Sequence, residues 1–293
     1  MHIDLWIALG GLVVGLVVGL TGMGGGALMT PMLILLFGVQ PLAAVSSDLV
    51  AAVVMKPVGG AVHLSRGTVR LDVVRWLALG SVPAAFAGVL LLRLIGSGDL
   101  QHDLRLAMGA ALVLALAGMV IRAVPALRHR AQQVDDDVVP PARPLPTVLV
   151  GVLGGVMVGM TSVGSGSLMI VLLMLLYPSL PLRRLVGTDL VQAIPLVASA
   201  ALGQLLFGDF RLGITTSLLI GSLPGVYVGA RLSAVATGGY IRWVLGIVIA
   251  ASAGKLLGAD NVTLGIIVGA GATCWLLAAV LVPLARRTVP SGA

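Results

Sequence analysis

The sequence contains no glutamate, one cysteine and only four histidines among its 293 residues. An enzyme would have to assemble a nucleophile with its base, or a metal cluster, from that small set. No metal-ligand spacing, nucleophile elbow or Walker loop is present, and the glycines at 24–26 lack the Lys and Ser or Thr that complete a phosphate clamp. The composition therefore argues against catalysis, and neither a cofactor nor a metal is expected.

Charged residues are also scarce, at 10% of the chain, whereas an ordinary soluble domain carries about 25%. Hydrophobic residues make up 58%, and mean hydropathy is +1.11. Apolar runs recur along the chain, many of them close to the roughly 20 residues that a helix needs to cross a bilayer. Alternation of the barrel type is absent. The fold class predicted is an all-α polytopic membrane protein.

The net charge of +7 does not indicate a nucleic-acid surface, because the basic residues lie between apolar runs and only 4% of residues are aromatic. Cys274 excludes an intrachain disulfide and lies in an apolar stretch, which suggests core packing or contact with lipid. Residues 1–20 lack a basic n-region and a convincing cleavage site, so they are interpreted as the first membrane segment instead of a signal peptide.

An internal repeat organises the chain. Residues 19–29 match residues 159–169 at a shift of 140, and at a shift of 141 residues 80–83 match residues 221–224. Three regions follow: a first membrane repeat at 1–124, a cytoplasmic linker at 125–146 rich in proline and charge, and a second repeat at 147–293 that carries an extra C-terminal helix.

The distribution of basic residues predicts how the halves are oriented. If each glycine-broken pair of segments forms a hairpin, thirteen arginines share one side of the membrane and four basic residues share the other. If each pair crosses once, the count is eight against nine, which is no bias. The hairpin arrangement places the N-terminus outside and the linker inside, and it inverts one half relative to the other. Whether the hairpins are full spans or re-entrant stays open, since a second limb of 14 residues covers only about 21 Å.

Two glycine clusters interrupt the apolar segments at corresponding places in the repeat. Irregular backbone at membrane depth is tolerated where it is buried in protein or lines a cavity, and a helix that resumes after a break offers N–H groups to an anion. The alternative is close helix packing, which is preferred for Gly15, Gly19, Gly155 and Gly159. The candidate substrate-binding residues are Thr21, Gly24, Gly25, Gly26, Lys56, Thr161, Ser162, Gly164, Ser165 and Gly166.

Carboxylates inside apolar segments are costly and usually face a cavity or a partner. Asp48 and Asp189 occupy matching places, and with His63 they are the candidates for proton coupling. For the two aspartates a structural role at the start of a helix is an equal alternative, and His63 is also typical of a membrane interface. Lys56 lies about 12 Å along a helix from Asp48, so its partner must be another helix, a carbonyl freed by Pro57 or the substrate, unless it snorkels. Gln192 and Gln204 are the buried polar candidates of the second half.

The glycine-broken opening helix, the Pro41 and Ser47-Asp48-Leu49 stretch, the turn from His63 to Gly67 and the helix with Gly80 and Pro83 resemble the TauE/SafE sulfite exporter family, also called TSUP permeases. The resemblance covers nearly the whole chain, although the second half has Ser165 for Gly25 and Gln204 for His63.

The resemblance implies a membrane permease for sulfite, an organosulfonate or a similar anion. We expect it to be a secondary transporter coupled to an ion gradient and to lie in the cell (inner) membrane. An anion channel is the nearest alternative, and a membrane-embedded enzyme is a more distant one. The partners expected are the small anionic substrate and the lipid bilayer, with homo-oligomerisation left open and nucleic acid excluded.

Overall fold

The fold, as a computed structural model, is built from α-helices without strands in the residues that the structure describes, namely 4–21, 25–95, 100–123, 141–166, 168–232, 239–266, 268–271 and 273. In chain order the helices are α1 (Leu5–Thr21), α2 (Gly26–Leu35), α3 (Pro41–Ser65), α4 (Leu71–Ile95), α5 (Leu100–Ala123), α6 (Pro144–Thr161), α7 (Leu168–Leu176), α8 (Leu182–Phe207), α9 (Leu212–Leu232) and α10 (Gly239–Leu256). A further apolar helix occupies Asn261–Gly271. Cys274 and the rest of the predicted C-terminal helix lie outside the described residues.

Within those residues, six helices are long and apolar enough to cross a membrane, namely α3, α4, α5, α6, α8 and α9. Large apolar side chains such as Trp6 and Leu94 remain mostly exposed, as expected for a surface that faces lipid. The predicted all-α polytopic membrane fold is confirmed.

The short helices α2 and α7 follow the two glycine clusters. With 10 and 9 residues, they extend about 15 Å and 14 Å, whereas the hydrocarbon core is about 30 Å thick. Neither can cross by itself, which favours re-entrant second limbs over pairs of full spans.

Most helices coincide closely with the apolar runs of the sequence, and α8 has the same first and last residues as the run from Leu182 to Phe207. The predicted linker is too long at its C-terminal end, because α6 already begins at Pro144. Proline is tolerated in the first turn of a helix, where its missing N–H has no intrahelical acceptor. Residues 124–140, which make up nearly all of the remaining linker, lie outside the described part of the chain.

Glycine-lined helix faces join the two halves. A Cβ on Gly155 of α6 would lie 2.5 Å from the carbonyl oxygen of Ser81 on α4, and a Cβ on Gly15 of α1 would lie 2.6 Å from that of Ser222 on α9. Such backbone contact is open only to glycine. The packing role predicted for Gly15 and Gly155 is confirmed, and Gly159 makes the same kind of contact, with a Cβ that would lie 2.0 Å from the carbonyl oxygen of Ala85.

Both extensive and small helix contacts recur when the two halves are exchanged. The pair α1 and α9 corresponds to α6 and α4, and the pair α2 and α10 corresponds to α7 and α5. Each opening helix therefore packs against the opposite half. The two halves are interleaved through these exchanged contacts.

The equivalent helices α3 and α8 pack together at the centre and run in opposite directions. Near the start of α3, Ser46 Oγ donates to Gln204 Oε1 of α8 at 2.9 Å. Near its end, His63 lies beside Gly187, whose Cβ would be 3.0 Å from the imidazole Nδ1. Polar side chains line this antiparallel pair and the two breaks beside it.

Candidate functional site

Asp48 lies on the third helical segment, seven residues after Pro41 begins α3, and its side chain is fully buried. Its Oδ2 atom accepts one hydrogen bond from Thr30 Oγ1 at 2.6 Å and another from Ser162 Oγ at 2.8 Å. Its Oδ1 atom has no hydrogen-bond partner among the described residues. Asp48 thus links α2 and α3 to the break in the second half. It lies two turns inside α3 and does not cap the start of that helix.

Asp189 occupies the equivalent place on α8 but has different neighbours. Gln192 Nε2 donates to Asp189 Oδ1 at 3.1 Å, and Ser81 Oγ donates to Gln192 Oε1 at 3.1 Å. The glutamine lies one turn further along the same helix. This carboxylate is therefore held partly by an amide of its own helix, and it reaches α4 through that amide.

Lys56 lies in the middle of α3 and is 9% exposed. Its Nζ atom donates to Ser165 Oγ at 2.7 Å, so its partner is the break in the other half. Snorkelling to the interface is ruled out by this burial. Asp189 attracts the ammonium most strongly and Asp48 attracts it as well, although neither forms a salt bridge with it in the part of the chain that the structure describes. One buried cation thus interacts electrostatically with two buried carboxylates.

The break after α6 has a strained backbone. Ser162 has φ +59°, and Gly164 and Gly166 have φ +123° and +102°. Side chains other than glycine rarely adopt such values. The two breaks meet directly, because a Cβ on Gly26 would lie 1.9 Å from the carbonyl oxygen of Ser162. The structure therefore brings Gly26, Ser162 and Ser165 into one region beside Asp48 and Lys56.

The first break differs from the second. Gly25 is the N-cap of α2 and has φ −59°, a value that residues other than glycine also adopt. A Cβ there would meet the flexible Met29 sulfur at 3.1 Å. Gly24 lies outside the described residues. The N–H groups of Leu28 and Met29 donate to Gly25 O at 2.9 and 2.8 Å, and that of Met169 donates to Gly164 O at 3.2 Å. The N–H groups that precede them in α2 and α7 are the backbone donors that the two breaks can offer an anion.

Some predicted donors already have acceptors. Thr21 Oγ1 donates to Val17 O at 2.8 Å, and Thr161 Oγ1 donates to Met157 O at 2.7 Å. Each hydroxyl thus satisfies a carbonyl of its own helix, and it would have to leave that carbonyl to donate to an anion. The bonds are equivalent in the two halves.

His63 stands apart from this group. It lies 15 residues after Asp48 on α3, a rise of about 22 Å, and its Nδ1 is 2.9 Å from Thr68 Oγ1. At the opposite end of the α3 and α8 pair, the fully buried Gln204 accepts from Ser46 and donates from Nε2 to Gly159 O at 3.2 Å. Both glutamines predicted to be buried are buried, whereas His63 is only half-buried.

Thr30 was missed by sequence reasoning. Its position at a shift of 140 is Ile170, so the repeat gives no signal for it. The one available hint is a hydroxyl side chain in a strongly apolar helix directly before Pro31.

The profile of the family described as "Sulfite exporter TauE/SafE" matches residues 7–256, from the third residue of α1 to the end of α10. The chain belongs to the TauE/SafE sulfite exporter family. Within it, the chain is similar to the "Probable membrane transporter protein YjnA" of Bacillus subtilis (strain 168), with 35% identity over 86% of this chain and 98% of the relative. The "Probable membrane transporter protein YdhB" of the same organism is 26% identical over 75% of this chain and 86% of the relative. No solved structure matches the chain significantly.

This family membership and the six long apolar helices establish a multi-pass membrane protein that acts as a transporter. The family and the names of the relatives indicate transport instead of enzymatic catalysis.

Proposed function

We propose that this family member is a secondary transporter that moves a small sulfur-containing anion, such as sulfite or an organosulfonate, across the cell membrane by using an ion gradient. The observation that carries the proposal is the buried contact between Lys56 Nζ and Ser165 Oγ at 2.7 Å. A buried cation whose direct hydrogen-bond partner is a neutral hydroxyl can exchange that hydroxyl for an incoming anion.

The two breaks supply the other donors that an anion needs. The N-terminal ends of α2 and α7 offer backbone N–H groups without a second full positive charge, and Gly26 and Ser165 lie at the meeting point of the breaks. An anion here would bind close to Lys56, between the opening segments of the two halves. Thr161 and Thr21 stay candidates for additional donors.

We further propose that the two halves are inverted relative to each other and rock around this site. The antiparallel run of the equivalent helices α3 and α8, from the Ser46 to Gln204 contact to the His63 to Gly187 contact, supports that arrangement. In an inverted repeat, equivalent helices near the pseudo-two-fold axis run in opposite directions. Homo-oligomerisation stays open.

Transport in proteoliposomes tests the substrate and its coupling. We expect saturable uptake of sulfite, a sulfonate or thiosulfate that responds to an imposed proton gradient. Lys56→Met should abolish it, because the buried charge that meets the anion is gone. Lys255→Met is the matched control, since Lys255 is exposed and donates to Asn261 Oδ1 at 3.1 Å. Equal flux in the two variants would contradict the site, and unsaturable flux independent of the gradient would indicate a channel.

Labelling tests the orientation. A cysteine placed in the predicted linker of a Cys274→Ser background should be protected from an impermeant reagent that is added outside. Labelling from the outer face would overturn the inverted arrangement with an external N-terminus.

A further inference from the structure

The two carboxylate oxygens of Asp48 differ in their hydrogen bonds, and this difference determines where a proton can add. Both hydroxyl donors, Thr30 and Ser162, bond to Oδ2, while Oδ1 has no partner in the described residues. A proton would therefore add to Oδ1 without displacing either donor. It would nevertheless weaken both bonds, because a hydrogen bond to an ionised carboxylate is about twice as strong as one to a neutral acid.

Ser162 is the residue that would respond to this change. Among the described residues it is the one non-glycine with a positive φ, at +59°, a conformation that an ordinary side chain keeps only when its surroundings hold it. Two bonds hold it: its hydroxyl donates to Asp48, and its N–H donates to Val158 O at 2.8 Å. Three residues later, Ser165 accepts the hydrogen bond from Lys56.

We infer that Ser162 is a positioning residue that couples the protonation of Asp48 to anion binding at Lys56, so that one proton and the anion bind together. This inference rests on the proposed anion site at Lys56. While Asp48 is ionised, Ser162 is held, the break keeps its shape and the carboxylate competes with the anion for Lys56. Protonation of Asp48 weakens the bond that holds the Ser162 hydroxyl and removes one of the two negative charges that attract the ammonium.

The surroundings of Asp48 contain few other groups that titrate. The α2 helix and the second break present the hydroxyls of Thr30 and Ser162, and α3 itself presents Lys56. In the described residues, the packed helices α5, α8 and α9 add no charged group that acts directly on Asp48, although Asp189 of α8 acts on Lys56. The pH response of the break is thus assigned to Asp48.

Thiosulfate is a suitable probe, because its charge stays constant between mildly acidic and mildly alkaline pH. The measurement is thiosulfate-dependent thermal stabilisation of the purified full-length protein across that range. The parent protein should be stabilised more at acidic than at alkaline pH. Ser162→Gly keeps the backbone conformation and removes the hydroxyl, so it should still bind thiosulfate while its stabilisation depends on pH measurably less than that of the parent. The part that remains comes from the direct attraction between the Asp48 carboxylate and Lys56.

Two further variants distinguish the loss of the Ser162 hydroxyl from a general disturbance of the break. Ser162→Asn should restore the pH dependence, since asparagine tolerates the left-handed conformation and its amide can donate to Asp48. Thr30→Val removes the other donor without touching the break, so it should shift the pH of the response and leave its amplitude. Because these variants are independent of Ser162→Gly, they test the inference even if the glycine variant fails to fold.

The outcomes distinguish this inference from the proposed function. If Ser162→Gly keeps the parental pH dependence, or if the parent shows none, the coupling is wrong and the anion site stands. If Ser162→Gly binds no thiosulfate at any pH while remaining folded, Ser162 is a direct ligand and the positioning role is wrong. If Lys56→Met is stabilised as strongly as the parent, the proposed site itself fails.

Discussion

Asp48 and Asp189 occupy equivalent places in the two halves, eight residues into their helices, yet they make different contacts. Asp48 accepts hydroxyl groups from α2 and from the opposite half, whereas Asp189 accepts the amide of Gln192 in its own helix. The position is therefore duplicated, and in the first half it links Thr30 of α2 to Ser162 of the second break. A carboxylate that bridges separate elements in this way can transmit a change between them.

The same contrast holds for the rest of the site. At a shift of 141 Lys56 falls on Val197, and at a shift of 140 Ser165 falls on Gly25. The glycine-lined contacts of α1 with α9 and of α6 with α4, in contrast, recur closely. The repeat thus supplies a symmetrical scaffold, and single substitutions have placed one cation and its hydroxyl partner asymmetrically within it.

The largest expected effect tests the symmetry of the scaffold. Gly155→Val and Gly15→Val should each destabilise the protein by about 3 kcal/mol, because their side chains would collide with backbone. Thermal unfolding in detergent measures this, and Gly265→Val is the control, since a Cβ there meets nothing within 4 Å. A severe loss at one glycine and none at the other would break the equivalence of the two helix pairs.

The second effect separates the two carboxylates. Asp48→Asn should abolish gradient-driven accumulation while exchange of bound anion continues, because a bridging group that can lose its proton has been replaced by an amide that cannot. Asp189→Asn should reduce accumulation only a few-fold. Counterflow and accumulation assays in proteoliposomes decide between them. Normal pH-dependent transport in both variants would make both carboxylates structural.

A third effect distinguishes the two breaks. Gly166→Val should lose substrate-dependent stabilisation, because φ +102° imposes a strain of about 1–3 kcal/mol on a side chain. Gly25→Val, at φ −59°, should retain a larger part of it. Ser165→Gly is the control without added bulk and should be milder than Gly166→Val. Equal stabilisation of both valine variants and the parent would place the site elsewhere.

The smallest effect concerns the two ends of the α3 and α8 pair. Gln204→Leu should lower stability by about 1–3 kcal/mol, because it leaves Ser46 Oγ and Gly159 O without their partner. His63→Leu should change it by no more than about 0.5 kcal/mol, since the imidazole is half-buried. The melting temperatures of the two variants provide the test. A larger loss of stability in His63→Leu than in Gln204→Leu would contradict this order.

The sequence is sufficient to predict most of the scaffold but less of the site. Apolar length predicts α8 to the residue, and paired glycine clusters predict both breaks, because these signals are local. The partner of Lys56 is a residue 109 positions away, and spacing along one helix shows only that Asp48 is too distant. Thr30 has an apolar counterpart, so neither periodicity nor the repeat could select it. Pro144 shows that proline can open a helix as well as belong to a loop.

The exchanged packing of α1 also affects how the protein is made. The ribosome completes α1 early, but its partner α9 begins only at Leu212, so at about 5–20 residues per second α1 waits roughly 10 to 40 s for its contact. During that interval its glycine face meets lipid or the insertion machinery. Neither half can bury its opening helix without the other half. When the two halves are expressed as separate chains, each should therefore accumulate stably in the membrane only if the other is expressed with it.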